Sequence, residues 1–391
     1  MNILINGSNM TIGGGVQVTD SICRELYKFP QHQFVVVLTT ALKQCASVIK
    51  KYPNVKVILY QLPLNKKNLF YKLKLALSGR DSILDNLVKE KNIDCVLTIF
   101  GPSGWIPKCL HISGFARAQI VLNDSPYRTK LSILQKLKFD FMRSRNRILF
   151  KNSSKIFYTE NRFISQRLQK VFPNSTIYTV TNNYNQIFDS PALWDRNIQL
   201  NTFNGITLLT IAANYPHKNL SIIIPTIHYL KKEYPSLRFR FVLTINEKEF
   251  VTTTNEERKH ICFVGSININ QCPPLYEQSN IMLLPSLLEC FSASYAEAMR
   301  MKIPIITTDL GFAHSLCADA ALYYNPLSPK ALADSIYKLA TSTQLQQELV
   351  TKGSKQLQQF DTFTKRAEKL IGIIEKEFQA SKDSKFVPNQ K

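Results

Sequence analysis

The sequence predicts an α/β fold with two doubly wound parallel sheets, and three observations carry that prediction. Short apolar runs at residues 3–5, 34–39 and 281–284 alternate with stretches of helical periodicity, the pattern of repeated βαβ units. A glycine-rich turn, Gly13-Gly14-Gly15, follows the first run and opens a helix. The length of 391 residues is enough for two domains, each with its own core.

Composition narrows the class. Hydrophobic residues make up 45% of the chain and charged residues 20%, which is ordinary for a globular protein. No apolar run reaches the roughly 18 residues that a spanning helix requires. The opening Met1-Asn2-Ile3-Leu4-Ile5 has no basic leader and enters a turn directly, so it reads as a strand and not a signal peptide. Eight cysteines are scattered without a C-x-x-C pair and read as free thiols of a reducing cytoplasm. The six histidines form no H-E-x-x-H group, and neither a metal nor a cofactor is expected.

Charge is the unusual feature. The formal net charge is +21. Residues 1–200 hold 28 Lys and Arg against 11 Asp and Glu, a net of +17, whereas the remainder holds 21 against 17. A half so basic seeks an anion: a membrane surface, a nucleic acid or a phosphorylated substrate.

In chain order, residues 3–5 are a buried strand and a helix is expected from about 16 to 27. The glycine-rich turn between them lets backbone N–H groups approach a phosphate, although a plain tight turn has the same composition. Strands at 34–39, 55–60 and 94–100 follow, with helices from 41 and within 67–92. The loop Gly101-Pro102-Ser103-Gly104 lies at a strand's carboxyl end, where doubly wound sheets place ligands. His111 occupies the next strand, a position usually held by a hydrogen-bonded structural histidine. From Arg128 to Lys155, nine basic residues accompany a single acid, Asp140. Leu131, Leu134, Leu137, Phe141 and Leu149 form a rough helical stripe there, with Phe139 and Met142 alongside. Such a helix lies on an anionic bilayer, or turns its stripe to the core and its basic back to water. Nucleic acid ranks last, because no helix-turn-helix, RNP or zinc pattern accompanies the charge. A strand at 155–159, a helix at 162–170 and a strand at 177–181 complete a first domain over 1–185. Residues 186–204 read as a linker, 205–361 as the second domain, and 362–391 as a helix at about 362–378 returning to the first domain plus a disordered tail from Ala380.

The second domain carries the decisive stretch. Its strand Ile281–Leu284 is ended by Pro285-Ser286, and a helix begins near Phe291. Glu289 sits on the turn and Glu297 about two turns into the helix. At about 1.5 Å of rise per residue, eight positions separate the carboxylates by about 12 Å. That is the reach from a nucleotide's ribose, past its diphosphate, to a bound sugar. The free N–H groups of the helix start between them suit a phosphate or a sugar. Glu-x7-Glu by itself is equally compatible with a capped strand–helix unit bearing two solvated carboxylates.

The full frame, P-S-L-x-E-x-F-S-x4-E-A-M followed by Ile303-Pro304-Ile305-Ile306-Thr307-Thr308, resembles the retaining GT-B glycosyltransferases of family 4, often called group 1. The resemblance implies two Rossmann-like domains facing a cleft, with the acceptor in the first and a nucleotide-sugar donor in the second. It implies that Glu289 and the following amides, at Cys290, Phe291 and Ser292, contact the donor sugar, and that Glu297 holds the ribose hydroxyls. Cys290 and Ser292 stand where the family carries glycines. Lys218, after Pro216 at the mouth of a helix and followed by Asn219, matches the family's diphosphate-binding Lys, whereas Ala213 falls where its Arg commonly sits. His111 is placed near the reaction centre, and Gly14, Gly15 and Gly265 on the donor side.

The chain has no Asp-x-Asp, so a metal-chelated diphosphate is disfavoured. The implied reaction retains anomeric configuration, and the expected acceptor is a saccharide or lipid-linked saccharide of bacterial surface polysaccharide, O-antigen or capsule. The expected place is the cytoplasmic face of the plasma membrane, bound peripherally through anionic lipid. A sugar-nucleotide epimerase and a catalytically degenerate partner subunit are the alternatives.

Overall fold

A computed structural model describes residues 1–60, 78–250 and 254–383. The chain divides into two units: residues 1–121, 134–182 and those from 361 onward form unit 1, and residues 122–133 and 183–360 form unit 2.

Unit 1 is built on a seven-stranded sheet of order β3-β2-β1-β4-β5-β6-β7. Its strands are β1 Asn2–Gly7, β2 Gln33–Leu38, β3 Val55–Leu59, β4 Cys95–Thr98, β5 Leu110–Gly114, β6 Ile156–Thr159 and β7 Thr176–Thr179. All pairs are parallel, with Ile3 opposite Phe34 and Cys95, and Leu4 opposite Val35 and Val96. This register sorts alternate residues onto two buried faces. Ile3, Ile5, Phe34, Val36 and Leu97 share one core, and Leu4, Val35, Val37, Val96 and Trp105 the other. Burial on both faces explains why the strands read as continuous apolar runs.

The helices of unit 1 are α1 Gly14–Cys23, α2 Lys43–Ile49, α3 Ser82–Glu90, α4 Ala118–Val121, α5 Ile133–Ser153 and α6 Arg162–Val171. The part of the expected 67–92 helical stretch before residue 78 lies outside the described residues. The last helix of the chain, Phe363–Asp383, packs on α1, β4 and β5 of this unit. It delivers Ala367, Leu370, Ile371 and Ile374 to the core that holds Ile3 and Ile5. Each buried aliphatic side chain contributes about 1.5–3 kcal/mol relative to its exposed state. This helix continues through residues 380–383, which the sequence reading assigned to a disordered tail.

Unit 2 repeats the plan with six strands in the order β10-β9-β8-β11-β12-β13. They are β8 Ile206–Thr210, β9 Phe239–Leu243, β10 Ile261–Phe263, β11 Ile281–Leu284, β12 Ile305–Thr308 and β13 Ala321–Tyr324. Both sheets follow Rossmann order, reversing direction between β1 and β4 in unit 1 and between β8 and β11 in unit 2. The helices of unit 2 are α7 Ile223–Glu233, α8 Asn255–Arg258, α9 Cys272–Glu277, α10 Ala293–Arg300, α11 Gly311–Cys317, α12 Pro329–Ala340 and α13 Thr343–Leu357; Phe363–Asp383 is α14.

Two expectations about organisation change. Residues 186–204 are no free linker but belong to unit 2. The Trp194 indole donates to the carbonyl of Ile187 at 2.7 Å, and Arg196 forks onto Glu277 at 2.5 and 3.4 Å. Phe188 is buried with its ring 5.9 Å from that of Tyr276. The second change concerns the basic stretch. Residues 122–133 belong to unit 2, while α5 from Leu134 onward belongs to unit 1.

The core-facing alternative for α5 does not hold over its first half. Leu134, Leu137 and Phe141 are 79%, 64% and 68% exposed, and Ile133 and Ile148 are exposed as well. The buried face is instead Asn146, Phe150 and Ser153, spaced for one side of a helix, with Phe150 against Phe115 and Phe157.

Candidate active site

Lys218 is positioned by a short local program. After β8 the chain runs through Ala212, whose N–H donates to the Thr244 hydroxyl, to Pro216 at the head of a single 3-10 turn, Pro216–Lys218. Asn219 then takes φ 55° and ψ 32°, the left-handed conformation that Asn tolerates better than most residues, and the chain reverses into Leu220–Ile222 and α7.

Glu289 comes from the neighbouring strand. β11 ends at Leu284, and the following loop is fixed at both sides. The Leu287 N–H donates to the carbonyl of His217 at 2.8 Å, and the Thr308 hydroxyl donates to the carbonyl of Ser286 at 2.8 Å. The loop so held presents Glu289 Oε1 to Lys218 Nζ at 2.5 Å. β8 and β11 are the pair at which the sheet order reverses, the place where open α/β sheets bind ligands. Glu289 is only 8% exposed, so its carboxylate is matched by the one cation it touches. An ammonium carries three N–H donors, and this pairing engages one of them.

Glu297 lies one turn into α10, beyond Ser292 at the helix N-cap. The helix begins at Ala293 and not near Phe291, so only half of the eight steps from Glu289 follow helical rise. Glu297 is 6% exposed, and the Tyr276 hydroxyl donates to its Oε2 at 3.0 Å. Burial pushes its carboxyl up to about 7, against the opposing pull of the Tyr276 hydrogen bond. Cys290 and Ser292 are buried between the two carboxylates, and the Phe291 ring lies 5.9 Å from that of Phe360. Gly265, after β10, has φ +73°, which favours glycine, and a Cβ there would come 3.3 Å from the Asn246 carboxamide oxygen.

The other candidates belong to unit 1. Gly13 caps α1 with φ +70°, and Gly14 and Gly15 form the first helical residues at the carboxyl end of β1. A Cβ on Gly15 would meet the Met10 sulfur at 2.6 Å, while the space beside Gly14 is open. His111 is buried with both ring nitrogens engaged. Its Nδ1 lies 2.6 Å from the carbonyl of Ser153, which only accepts, so Nδ1 carries the proton; Nε2 accepts from the Thr98 hydroxyl at 2.9 Å. Burial lowers its pKa to about 4, leaving it neutral near pH 7. Both nitrogens are thus engaged within unit 1, the arrangement of a hydrogen-bonded histidine on a strand.

Comparison with known proteins bears on the same stretch. Residues 205–342 match the family model described as glycosyl transferases group 1. The chain resembles the group 1 glycosyltransferases. Lys218, Glu289 and Glu297 all lie within the matched residues, whereas Gly14, Gly15 and His111 lie outside them. Among curated proteins, the O-antigen chain mannosyltransferase RfbU of Salmonella typhimurium is 24% identical over 134 residues. That match spans 33% of this chain and 36% of RfbU, about a third of the relative's length.

Among solved structures, the lipopolysaccharide biosynthesis glycosyltransferase WaaG superposes with a TM-score of 0.64 at 15% identity, over 96% of this chain and 99% of WaaG. Anabaena Alr3699/HepE, solved in complex with UDP and glucose, gives 0.60 at 13% identity, over 96% of this chain and 100% of HepE. The fold is therefore the GT-B fold that such glycosyltransferase structures share. What the sequence reading did not find is that Lys218 and Glu289 form a pair. Their separation of 71 positions offers no periodic signal, and only the adjacency of β8 and β11 joins them.

Proposed function

We propose that the protein is a retaining glycosyltransferase that moves a sugar from a nucleotide-sugar donor to a saccharide or lipid-linked acceptor of bacterial surface polysaccharide. The observation that carries this reading is the Lys218–Glu289 pair at the switch point of unit 2, inside the residues that match the group 1 family. In this reading the two uncommitted N–H donors of Lys218 and the amides at the start of α10 receive the diphosphate. They are fixed before the reaction begins, so charge developing on the leaving phosphate is met without reorganisation. Glu289, held by Lys218, faces the donor sugar as positive charge grows at the anomeric carbon, and the departing phosphate accepts the acceptor's proton. Glu297, at the far end of the same stretch, accepts from the ribose hydroxyls.

Donor activation in this proposal needs no metal, which the lack of an Asp-x-Asp sequence supports. The acceptor side rests on the likeness to RfbU and WaaG, one described as an O-antigen mannosyltransferase and the other as acting in lipopolysaccharide biosynthesis. The exposed apolar residues of α5, among its basic ones, support peripheral attachment to an anionic membrane. No described helix is long and apolar enough to cross a membrane.

The test is direct. The pure protein is incubated with a panel of UDP- and GDP-sugars, with and without EDTA, and nucleoside diphosphate release is measured. Release from one donor, insensitive to EDTA, is expected. NMR of the transferred sugar should show the donor's anomeric configuration. Release from none of the donors, even with membrane extract as acceptor, would favour a non-catalytic partner.

A further inference from the structure

We infer that Lys130 supplies a second cation of the diphosphate subsite, delivered by the 122–133 segment to the turn that carries Lys218. The inference rests on the glycosyltransferase reading of the Lys218–Glu289 corner. It goes beyond that reading because Lys130 lies outside residues 205–342, the stretch that matches the family.

The segment is fastened across that corner at three points. The Ser125 hydroxyl donates to the carbonyl of Leu287 at 2.5 Å, two residues before Glu289. The Tyr127 ring meets the His217 ring edge-on at 6.3 Å, one residue before Lys218. The Lys130 ammonium donates to the side-chain oxygen of Asn219, the residue after Lys218, and lies 3.4 Å from the Ser221 hydroxyl. The two cations therefore meet at the same turn, Lys218 as part of it and Lys130 from the 122–133 segment.

The ion pairing of the two differs in a way that matters. Lys218 has Glu289 as its counter-ion, whereas the partners of Lys130 are both neutral. Its surroundings cost the ammonium part of its hydration and lower its pKa. With neutral partners, the Lys130 charge is not offset by a carboxylate and is left for an incoming anion. A nucleoside diphosphate brings more negative charge than Lys218, already half-neutralised by Glu289, can balance.

Calorimetry of UDP, GDP and the corresponding nucleosides against wild type, Lys130→Met, Lys130→Arg and Lys218→Ala tests this. Met keeps the apolar stem and removes the charge. Lys130→Met is expected to weaken binding of the diphosphate that wild type prefers by about tenfold or more, the scale of a lost charge-assisted hydrogen bond. Nucleoside binding should not change, and Lys130→Arg should retain most of the diphosphate affinity. If Lys130→Met binds diphosphate within about twofold of wild type while Lys218→Ala loses affinity, Lys130 is not in the subsite and the glycosyltransferase reading survives. If wild type binds neither diphosphate, both fall together. Should Lys130→Met unfold, the Lys130→Gln variant and the salt dependence of wild-type diphosphate affinity take its place. A slope unchanged between Lys130→Gln and wild type overturns the inference.

Discussion

The Lys218 ammonium lies 2.5 Å from the Glu289 carboxylate, joining two loops that follow adjacent parallel strands. Their side chains are 16% and 10% exposed, so each shields the other from the cost of lost hydration. A change to either residue therefore has a chemical and a structural consequence, and the two must be read apart.

Lys218→Ala should lower turnover by about 10²–10³, the usual effect of removing one preorganised donor to a developing charge. It also strands the Glu289 carboxylate, so the melting temperature should drop. The double variant Lys218→Met/Glu289→Gln should recover the melting temperature and leave turnover low. Turnover within about threefold of wild type in Lys218→Ala would assign the role to another cation.

The two carboxylates should separate kinetically. A contact made equally in ground and transition states affects KM, and one that strengthens in the transition state affects kcat. Glu297→Gln is expected to weaken nucleoside diphosphate binding by about 1.5–3 kcal/mol, the range for a hydrogen bond to a charged group. Glu289→Gln should bind the diphosphate almost normally and turn over poorly. Calorimetry decides the matter: a larger affinity loss in Glu289→Gln reverses the assignment.

Glu297 also predicts a stability profile. Burial raises its pKa to about 7 from an ordinary 4.5, so the folded state holds a proton that the unfolded chain has released. The contribution of Glu297 to stability is then greatest below about 4.5, falls as pH rises through this interval, and levels off above about 7. Glu297→Gln cannot lose that proton. The difference in melting temperature, variant minus wild type, should grow between pH 5 and pH 7.5. A difference that stays flat would mean that Glu297 is ionised across the whole interval.

The exposed face of α5 predicts binding to vesicles rich in anionic lipid at low salt, with most of it lost near 1 M. Each basic residue near such a surface contributes about 1 kcal/mol, and salt screens that term. Replacing Leu134, Leu137 and Phe141 by Ser should weaken binding without unfolding unit 1, because none of the three is buried. Equal sedimentation with neutral vesicles would rule out the electrostatic account.

Much of this was legible in the residues. Ile3–Ile5 and Ile281–Leu284 are buried on both faces, so they appear as bare apolar runs that no amphipathic helix would carry. Pro285-Ser286 and the Glu297-Ala298-Met299 run marked the strand–turn–helix unit that carries Glu289 and Glu297, because turn chemistry and helical spacing are local. The rest was set by contacts between distant residues. Nothing near His111 in the sequence points to Ser153 or Thr98, which take up its two nitrogens. Residues 186–204 have a linker's composition, yet they are ordered by Glu277 and Tyr276, some eighty to ninety positions away. The stripe on α5 leaves two readings open, a bilayer-facing one and a core-facing one, because periodicity reports a face and not what covers it.

The last helix completes a core that the chain began more than three hundred residues earlier. Unit 1 takes α14 into the core with Ile3 and Ile5, so on the ribosome that core stays open after residue 182 has emerged. Roughly two hundred more residues must be made before Ile374 arrives, a delay of about 10–40 s at ordinary elongation rates. Apart from the short 122–133 insert, unit 2 is contiguous and can close in that interval. Unit 2 is therefore expected to close before unit 1, whose apolar sheet face waits for α14 until translation ends.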